Sequence, residues 1–312
     1  MEVFWELDRI PEEFGPTAVT LGNFDGVHCG HRAVLGELAT LARARALTSL
    51  AVTFDPHPQT VHRPDTPAAL IGALTDRLAR MSETGVDAVL VQRYSLDFAS
   101  RTPEEFVRDY LVGGLGARLV AVGRDVRFGR DNAGSIDTLR ELSLTYGFEV
   151  VVIDDVGTDG RFSSTEVRRL LRAGDVRAAG DMLGSPHIVS GTVVHGDARG
   201  REMGFPTANL SPDATGLVPA DGVYAGWAFF DADPERYPAA ISIGTNPTFD
   251  GAERRVEAHI VDVAFPDLDV YGSGMTLEFV DRIRGQVTFD GMDALIAQMH
   301  RDIDDVRAVL GL

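Results

Sequence analysis

The pattern of predicted secondary structure changes once along this 312-residue chain, and the change separates two kinds of fold. Over residues 17–183, short β-rich runs alternate with amphipathic helical runs, an order that favours a parallel, doubly wound α/β sheet. After residues 184–186 (Gly-Ser-Pro), short strands follow one another through turns rich in Gly, Pro and Asp until a last helical pattern. Repeated strands with one terminal helix predict a small antiparallel β-barrel. We therefore predict two domains, residues 1–184 and 185–312.

The periodicity of apolar residues gives the expected order of elements in each half. In the first half it predicts strands over 17–21, 49–54, 86–91, 118–122 and 148–153, and helices over 32–47, 75–81, 103–111, 135–146, 164–172 and 175–183. In the second half it predicts strands over 187–194, 222–230, 239–243, 255–263 and 275–280, and a helix over 292–310.

Composition restricts the kinds of partner. The chain has one cysteine, Cys29, so an intrachain disulfide is excluded and a reducing compartment is expected. Its net charge is −18 and it contains no Lys, which argues against a nucleic-acid partner. The acidic start lacks the pattern of a secretory signal and no apolar run approaches a membrane span, so we expect a cytoplasmic protein without a membrane partner. Because the chain has no Lys, any bound phosphate must be held by Arg, His, backbone N–H groups or a metal.

The densest motif in the first half is a glycine-rich turn between a predicted strand and a predicted helix, Gly22-Asn-Phe-Asp-Gly-Val-His-Cys-Gly-His31. Such a junction is where α/β folds hold phosphates. His28 and His31 are three residues apart and can face one phosphate. The plain alternative is a glycine-rich turn with incidental histidines. The candidate nucleotide-binding residues here are Gly22, Asn23, Phe24, Asp25, Gly26 and Gly30.

The turn resembles the HxGH motif of nucleotidylyltransferases, and its longer form GxFDGxHxGH resembles the N-terminal module of bacterial bifunctional riboflavin kinase/FMN adenylyltransferases (FAD synthetases). The resemblance implies a Rossmann-like domain in which His28 and His31 are catalytic, stabilising charge on the α-phosphate of ATP as pyrophosphate leaves. Adenylyl transfer needs no protein nucleophile, so Cys29, between the two histidines, receives no role.

Three further segments of the first half match the same module. The helix opening at residues 163–168 offers an ATP-phosphate site through Ser164, Thr165 and Arg168, or is an ordinary capped helix with a surface Arg. Segments 53–58 and 123–129 imply flavin binding, although the first can be a structural proline turn, and Phe54 and Phe128 can be core residues. The family commonly has Phe where this chain has Val126. The implied flavin-binding residues are Phe54, Pro56, His57, Pro58, Asp125 and Phe128.

The second half has one comparable stretch, residues 191–209, which is cationic, glycine-rich and ends in Pro-Thr-Ala-Asn. Thr207 and Asn209 lie two apart in an extended segment, so their oxygens point to one side and suit Mg²⁺ held together with ATP phosphates. A β-turn and bulge with exposed Arg is the alternative. The stretch resembles the PTAN motif of riboflavin kinase, whose implied ATP-binding residues are Gly196, Arg199, Gly200, Arg201, Gly204, Pro206, Thr207 and Asn209.

Glu257 lies in a predicted strand with His259 on the same face, away from Val256, Ala258 and Ile260. A carboxylate there can accept a proton from an attacking hydroxyl, or can simply be a surface Glu. The segment and its neighbours resemble riboflavin kinase, and that resemblance implies that Glu257 is the base that activates the ribityl 5′-hydroxyl.

The motifs together predict an enzyme that phosphorylates riboflavin to FMN in its C-terminal domain and adenylylates FMN to FAD in its N-terminal domain. ATP, riboflavin and FMN are the expected small-molecule partners, with Mg²⁺ accompanying ATP. Three alternatives remain at this level: a single-activity FMN adenylyltransferase whose barrel only binds flavin, a non-catalytic flavin carrier, and a cytidylyltransferase. The intact residues Thr207, Asn209 and Glu257 argue against the first, the intact His28 and His31 argue against the second, and the third does not predict the barrel motifs.

Overall fold

A computed structural model of the chain describes residues 1–153, 162–196, 204–231, 233–248, 251–262 and 270–312. Packing divides the chain into two compact units, residues 1–70 with 74–163 and residues 71–73 with 164–312. The helices between 164 and 183 thus pack with the second unit, whereas the sequence pattern places the domain boundary after residue 184.

The first unit is built on a six-stranded sheet in which every pairing is parallel, as the alternating pattern predicts. Its spatial order is β1 (Glu2–Phe4), β4 (Ala88–Arg93), β3 (Thr48–Asp55), β2 (Thr17–Leu21), β5 (Ala117–Gly123) and β6 (Glu149–Ile153). From β2 the chain proceeds through β3 to β4 on one side, and later adds β5 and β6 on the other. The strand order therefore reverses between β2 and β5, and the crevice at the carboxyl ends of such strands is the usual ligand site of an open α/β sheet.

Both faces of this sheet are buried, which explains the near-continuous apolar strands. Ala18, Ala51 and Val89 belong to one core cluster and Val19, Leu50 and Leu90 to another, so neighbouring residues along each strand enter opposite layers. The covering helices are α1 (Cys29–Ala44), α2 (Pro58–His62), α3 (Leu74–Ser82), α4 (Leu96–Ala99), α5 (Pro103–Glu105) and α6 (Ile136–Tyr146).

One helix departs from the predicted geometry. The run 103–111 begins as α5, with Pro103 in the first turn and a capping box between Thr102 and Glu105, as expected for a helix start. It continues as a π-helix over Phe106–Gly114, and the amide of Leu115 donates to the Tyr110 carbonyl five residues back, at 2.9 Å. This wider turn places Phe106 and Tyr110 in the core together.

The second unit carries α7 (Ser164–Ala173) and α8 (Val176–Leu183), followed by the predicted antiparallel barrel and the terminal helix α9 (Met292–Leu310). The strands are β7 (His187–Val194), β8 (Ala208–Leu210), β9 (Gly222–Phe230), β10 (Asp233–Thr248), β11 (Gly251–Ile260) and β12 (Gly274–Arg284). They close in the order β10-β11-β8-β7-β12-β9. Their inward side chains, such as Val189, Ile241 and Ala258, form one apolar core.

Two features of the barrel differ from the sequence-based expectation. β10 is much longer than the predicted 239–243, because β9 pairs with its first part, up to Ile243, and β11 pairs with its second part, from Ala239 onward. β8 was not predicted; its three residues join β7 to β11 and complete the barrel. The predicted end of β11, Val263, lies outside the described residues. None of the helices in the described ranges has the length and apolar character of a membrane span.

Candidate functional site

The glycine-rich turn of the first unit connects β2 to α1 at the strand reversal, where the sequence places it. Its backbone is tightly folded, since Phe24, Gly26 and Val27 all have positive φ angles of 47°, 78° and 44°. The side chains of Phe24 and Val27 are buried in the layer beneath the turn. This packing stabilises a positive-φ backbone that non-glycine residues seldom adopt. Asn23 is exposed at the turn, and Asp25 is buried.

His28 and His31 are brought together as the motif predicts. His28 is the N-cap of α1, and its Nδ1 accepts a hydrogen bond from the His31 amide at 3.3 Å. The two rings stack with centroids 3.6 Å apart. Neutral His28 therefore carries its proton on Nε2. Gly30 makes this packing possible, because a Cβ there would lie 3.2 Å from the His28 ring.

The surroundings of His31 favour its neutral form. The pKa of His31 is well below its usual value, first because the ring is buried and then because His28 and Arg77 lie nearby. Nδ1 of His31 is buried with no hydrogen-bond partner among the described residues. A neutral His31 ring with an unused nitrogen, at the N-terminus of α1, can donate to a phosphate oxygen.

The segment that follows β3 forms a second turn at the same end of the sheet, because β3 is the parallel neighbour of β2 and both strands end there. His57 caps α2, its Nδ1 accepting from the Gln59 amide at 3.1 Å, and Pro58 is the first residue of that helix. Phe54 and Phe128 are both buried, at 8% and 5% exposure, in the core cluster that also contains Phe98 and Phe106. Their packing is that of core residues, the alternative that the sequence left open.

The remaining candidates of the first motif set lie at two places. Asp125 is exposed in the turn after β5, and Val126 packs against the Phe54 and Phe128 cluster. Ser164 is the first residue of α7, followed by Thr165 and Arg168, and this helix belongs to the second unit.

Arg77 on α3 is a buried residue near the first site that sequence reasoning missed. It is 2% exposed, and its Nη1 donates to Thr53 Oγ1 at 3.2 Å and to the Phe54 carbonyl at 3.1 Å. Burial lowers its pKa, while the carboxylates of Asp25 and Asp55 raise it. The only sequence signal is an Arg within an amphipathic helix, a pattern shared with many surface residues.

The second unit has a cavity of about 500 Å³ on the outer side of its barrel. Strands β10 and β11 form one wall and α9 forms another, with Phe205 and Phe289 adding aromatic surface. Thr207, Asn209 and Glu257 belong to its polar lining, which also includes Ser242 and His259. A cavity of this size with both aromatic and polar lining suits a small aromatic ligand that carries polar groups.

The polar wall of this cavity joins the three residues that the barrel motifs single out. Glu257 faces Asn209 directly across β11 and β8, on the side away from the barrel core. Thr207 Oγ1 donates to Glu257 Oε2 at 3.3 Å, and Asn209 Nδ2 lies 3.5 Å from Thr207 Oγ1. Asn209 Oδ1 is buried with no hydrogen-bond partner in the part of the chain that the structure describes.

Two further candidate residues, Gly196 and Pro206, pack next to this polar wall. A Cβ at Gly196 would overlap the Asn209 amide, so the backbone there packs directly on Asn209. The Pro206 carbonyl accepts from Nδ1 of His259 at 2.9 Å, which ties the start of the Thr207 segment to β11. Gly204 has a φ of +83° in the turn before it. The candidates Arg199, Gly200 and Arg201 lie outside the described residues.

The α9 wall of the cavity could not be found from the motifs. Asp302 on α9 is 4% exposed and forms an ion pair with Arg284 at the end of β12, at 2.7 Å. Leu295, Met299 and Ile303 face the cavity from the same helix. Their spacing is the ordinary apolar stripe of an amphipathic helix, so the sequence predicts the helix but not the ligand surface.

Comparison with known proteins identifies both units. A family model described as FAD synthetase matches residues 10–166, and one described as riboflavin kinase matches residues 183–310. The bifunctional riboflavin kinase/FMN adenylyltransferase of Escherichia coli K12 is 37% identical over 307 residues, which cover 98% of this chain and 96% of that protein. The protein of the same name from Listeria monocytogenes is 35% identical, covering 93% and 91% of the two chains.

A solved structure agrees on the fold. A crystal structure described as a macrolide-efflux protein from Streptococcus pneumoniae superposes with a TM-score of 0.85 at 32% identity, over 98% of both chains. Full-length similarity and the two family matches agree with the two motif sets and with both observed folds. The chain belongs to the bifunctional riboflavin kinase/FMN adenylyltransferase family.

Proposed function

We propose that the barrel cavity is where this enzyme phosphorylates riboflavin, with Glu257 as the base, and that the turn bearing His28 and His31 is where it adenylylates FMN. The observation that carries the first assignment is the contact of Thr207 with Glu257 beside the buried Asn209. The second assignment is carried by the stacked histidine pair at the strand reversal. Neither chemistry requires a covalent enzyme intermediate.

In the kinase reaction the ribityl 5′-hydroxyl oxygen attacks the γ-phosphorus of ATP, and the bond to the β-phosphate oxygen breaks. Glu257 accepts the hydroxyl proton, a role that suits a half-buried carboxylate on the cavity wall. Thr207, by donating to Oε2, fixes the direction of the carboxylate. The apolar lining from α9 excludes water that would otherwise compete with the ribityl hydroxyl.

The residues beside Glu257 fit a magnesium ion. Thr207 and Asn209 supply neutral oxygens, and the buried, unpartnered Oδ1 of Asn209 is an acceptor awaiting a cation. Mg²⁺ prefers oxygen ligands and commonly keeps few protein ligands beside substrate phosphates. When bound, the ion would neutralise charge on the ATP phosphates. Among the described residues no group of three His, Cys, Asp or Glu offers another metal site.

In the adenylyltransferase reaction an oxygen of the FMN phosphate attacks the α-phosphorus of ATP and pyrophosphate leaves. The attacking oxygen is already anionic, so no strong base is needed. His28 and His31 donate hydrogen bonds to the phosphate oxygens on which charge develops, from rings held in place by their mutual stacking. The roles of Ser164, Thr165 and Arg168 in holding ATP are proposed from the family resemblance. The same holds for the flavin-binding roles of Phe54, Pro56, His57, Pro58, Asp125 and Phe128.

The order in which FMN and FAD appear tests this assignment. Wild-type protein incubated with riboflavin, ATP and Mg²⁺ is expected to accumulate FMN and then FAD, resolved by liquid chromatography. Glu257→Gln is expected to stop FMN formation while FAD formation from supplied FMN continues. A Glu257→Gln protein that still phosphorylates riboflavin at the wild-type rate contradicts the proposed base.

A further inference from the structure

Arg77 is a buried cation that the proposed chemistry does not use. Only 2% of it is exposed, and both of its hydrogen bonds go to the end of β3, at Thr53 and at Phe54. Its Nε is buried without a hydrogen-bond partner in the described part of the chain. Placing a guanidinium in the interior is unfavourable unless its contacts repay the loss of hydration, so its location calls for an explanation.

The hydrogen bonds of Arg77 reach both turns of the first site. Thr53, which is fully buried, donates from Oγ1 to the Asn23 carbonyl at 3.0 Å and accepts from Arg77 on the same oxygen. Arg77 is thereby linked through Thr53 to the nucleotide turn, in which His28 and His31 follow Asn23. The other acceptor of Arg77 is the carbonyl of Phe54. Phe54 lies just before the turn that carries Pro56, His57 and Pro58.

We propose that Arg77 is a positioning residue for adenylyl transfer, acting through Asn23 and Phe54 to hold the nucleotide turn and the flavin turn in one fixed arrangement. It touches neither substrate. The inference rests on the proposed roles of these two turns in binding ATP and FMN.

The chemistry of the side chain fits this role. Nη1 of the guanidinium donates to two acceptors on successive residues, and a Lys ammonium, which ends one bond nearer the backbone, does not reach the same position. Its positive charge lies near Asp25 and Asp55, which offset it, and near His31, whose neutral form it favours. Arg77→Lys therefore keeps the charge and alters the geometry, while Thr53→Val removes the hydroxyl that joins Arg77 to Asn23 and leaves the bond from Arg77 to the Phe54 carbonyl.

Thr17→Val is the matched control for Thr53→Val. Thr17 is also a buried threonine of the same sheet, and its hydroxyl donates to a main-chain carbonyl, that of Leu115, at 2.7 Å. It is the first residue of β2, at the amino end of the strand, whereas the two turns follow the carboxyl ends of β2 and β3. Loss of its hydrogen bond perturbs the sheet without touching either turn.

The experiment measures FAD formation from supplied FMN and ATP, and riboflavin phosphorylation in the same preparations as the control for folded protein. We expect Thr53→Val and Arg77→Lys to lower kcat/KM for FAD formation by about 10- to 100-fold, the scale of a misplaced binding group. Thr53→Val should raise the KM for ATP more than that for FMN, and Arg77→Lys should raise both. Thr17→Val should leave all these constants within about twofold, since it changes no binding group.

The outcomes separate this inference from the function on which it rests. Unfolding of the first unit lowers kcat for FAD formation in proportion to the folded protein lost and moves neither KM, so that result overturns the positioning role. Wild-type constants in Thr53→Val and Arg77→Lys, together with an inactive His31→Ala, overturn it while leaving the proposed histidine chemistry intact. An active His31→Ala overturns both.

Discussion

The histidine pair shows how burial sets the charge of a site. Two imidazoles with centroids 3.6 Å apart repel if both are protonated, and the nearby Arg77 adds to that repulsion. Burial and these neighbours hold the pKa of His31 well below its usual range. His31 is therefore neutral at neutral pH, and a neutral ring at the proposed site can donate to a phosphate without forming a tight ion pair to it.

His31→Ala tests the contribution of one donor. We expect kcat for FAD formation to fall by about 10²- to 10³-fold, the usual cost of removing one preorganised donor to a developing charge. Riboflavin phosphorylation in the same preparation should be unchanged, because Glu257 and its partners belong to the other unit. The measurement is a steady-state assay of each reaction with its own substrate. A parallel loss of both activities in folded protein would contradict separate sites.

The same residue predicts a pH dependence of stability. Unfolded, His31 takes up a proton as the pH falls through about 6.5, the ordinary value for His. The folded chain does not, because the pKa of His31 is lowered by burial, by His28 and by Arg77. The unfolded state then binds more protons, so the free energy of unfolding decreases as the pH falls below about 6.5 and is fully retained above it.

Urea unfolding at pH about 7.5 and about 5.5, on either side of that ordinary value, measures this effect. Wild-type protein should lose more stability between the two conditions than His31→Asn, which has no proton to take up. Equal losses in the two proteins would show that His31 titrates alike in the folded and unfolded states.

Asn209→Ala is the corresponding test in the barrel. The change removes the buried Oδ1 and the contact with Thr207, and leaves the core side of β8 intact. We expect FMN formation to fall by at least about 10²-fold, since charge neutralisation at the phosphates is the main source of catalysis in phosphoryl transfer. FAD synthesis from supplied FMN should continue at the wild-type rate. Titration with Mg²⁺ then shows whether the apparent affinity for the ion has weakened, as the proposed ligand role requires.

Single residues also show where sequence reasoning ends. His28, His31, Thr207, Asn209 and Glu257 could be found because each belongs to a dense motif with a chemical reason for its spacing. Arg77 and Thr53 act through hydrogen bonds between segments more than 20 residues apart, at separations of 24 and 30 residues. Such a network depends on which strands become neighbours, and no local pattern encodes it.

At the scale of elements, α9 is both a structural support and a wall of the barrel cavity. It is fastened to β12 by the Arg284–Asp302 ion pair, in which Nε and Nη2 of Arg284 both donate to the carboxylate. Gln298, one turn earlier, donates to the same Asp302 at 2.8 Å. The paired geometry and the low exposure of Asp302 make this contact a firm polar link between helix and barrel.

Asp302→Ala should loosen this wall. Removing one partner leaves Arg284 without its counter-charge in a mostly buried place, a change that costs about 3 kcal/mol of unfolding free energy. We expect the KM for riboflavin to rise more than the KM for ATP, because the apolar face of α9 lines the cavity. Asp302→Asn keeps the shape of the side chain, so its KM for riboflavin should lie between those of the wild-type protein and of Asp302→Ala. An unchanged riboflavin KM in a destabilised Asp302→Ala protein would restrict α9 to a structural role.

The elements themselves were mostly predictable, and the exceptions have physical reasons. Strands β2 and β7 and helix α9 begin and end at the predicted residues, because local periodicity and capping set their bounds. β8 has only three residues and exists through pairing with β7 and β11, so its own sequence carries little signal. The π-helix after α5 is likewise a tertiary effect, since its apolar spacing is compatible with an ordinary helix.

At the scale of the whole molecule, each unit has its own core and its own set of reactive side chains. The barrel core and the two layers of the parallel sheet are separate apolar clusters. The sequence pattern anticipated two folds because the periodicity of the chain changes from alternating to all-β. It placed α7 and α8 with the first fold, since helices that follow strands continue that alternation; their packing against the barrel strands is a tertiary contact.

Mixing two inactivated variants tests whether the reactions are joined only by a diffusing intermediate. Asn209→Ala should stop at riboflavin and His31→Ala should stop at FMN, because each loses one site and keeps the other. An equimolar mixture should convert riboflavin to FAD after a lag, since FMN made by one molecule is released and then bound by another. The lag should shorten as protein concentration rises, because FMN then accumulates sooner to the level that the second site requires. A mixture that makes no FAD, although each variant still performs its remaining reaction on supplied substrate, would mean that FMN passes between sites without entering solution.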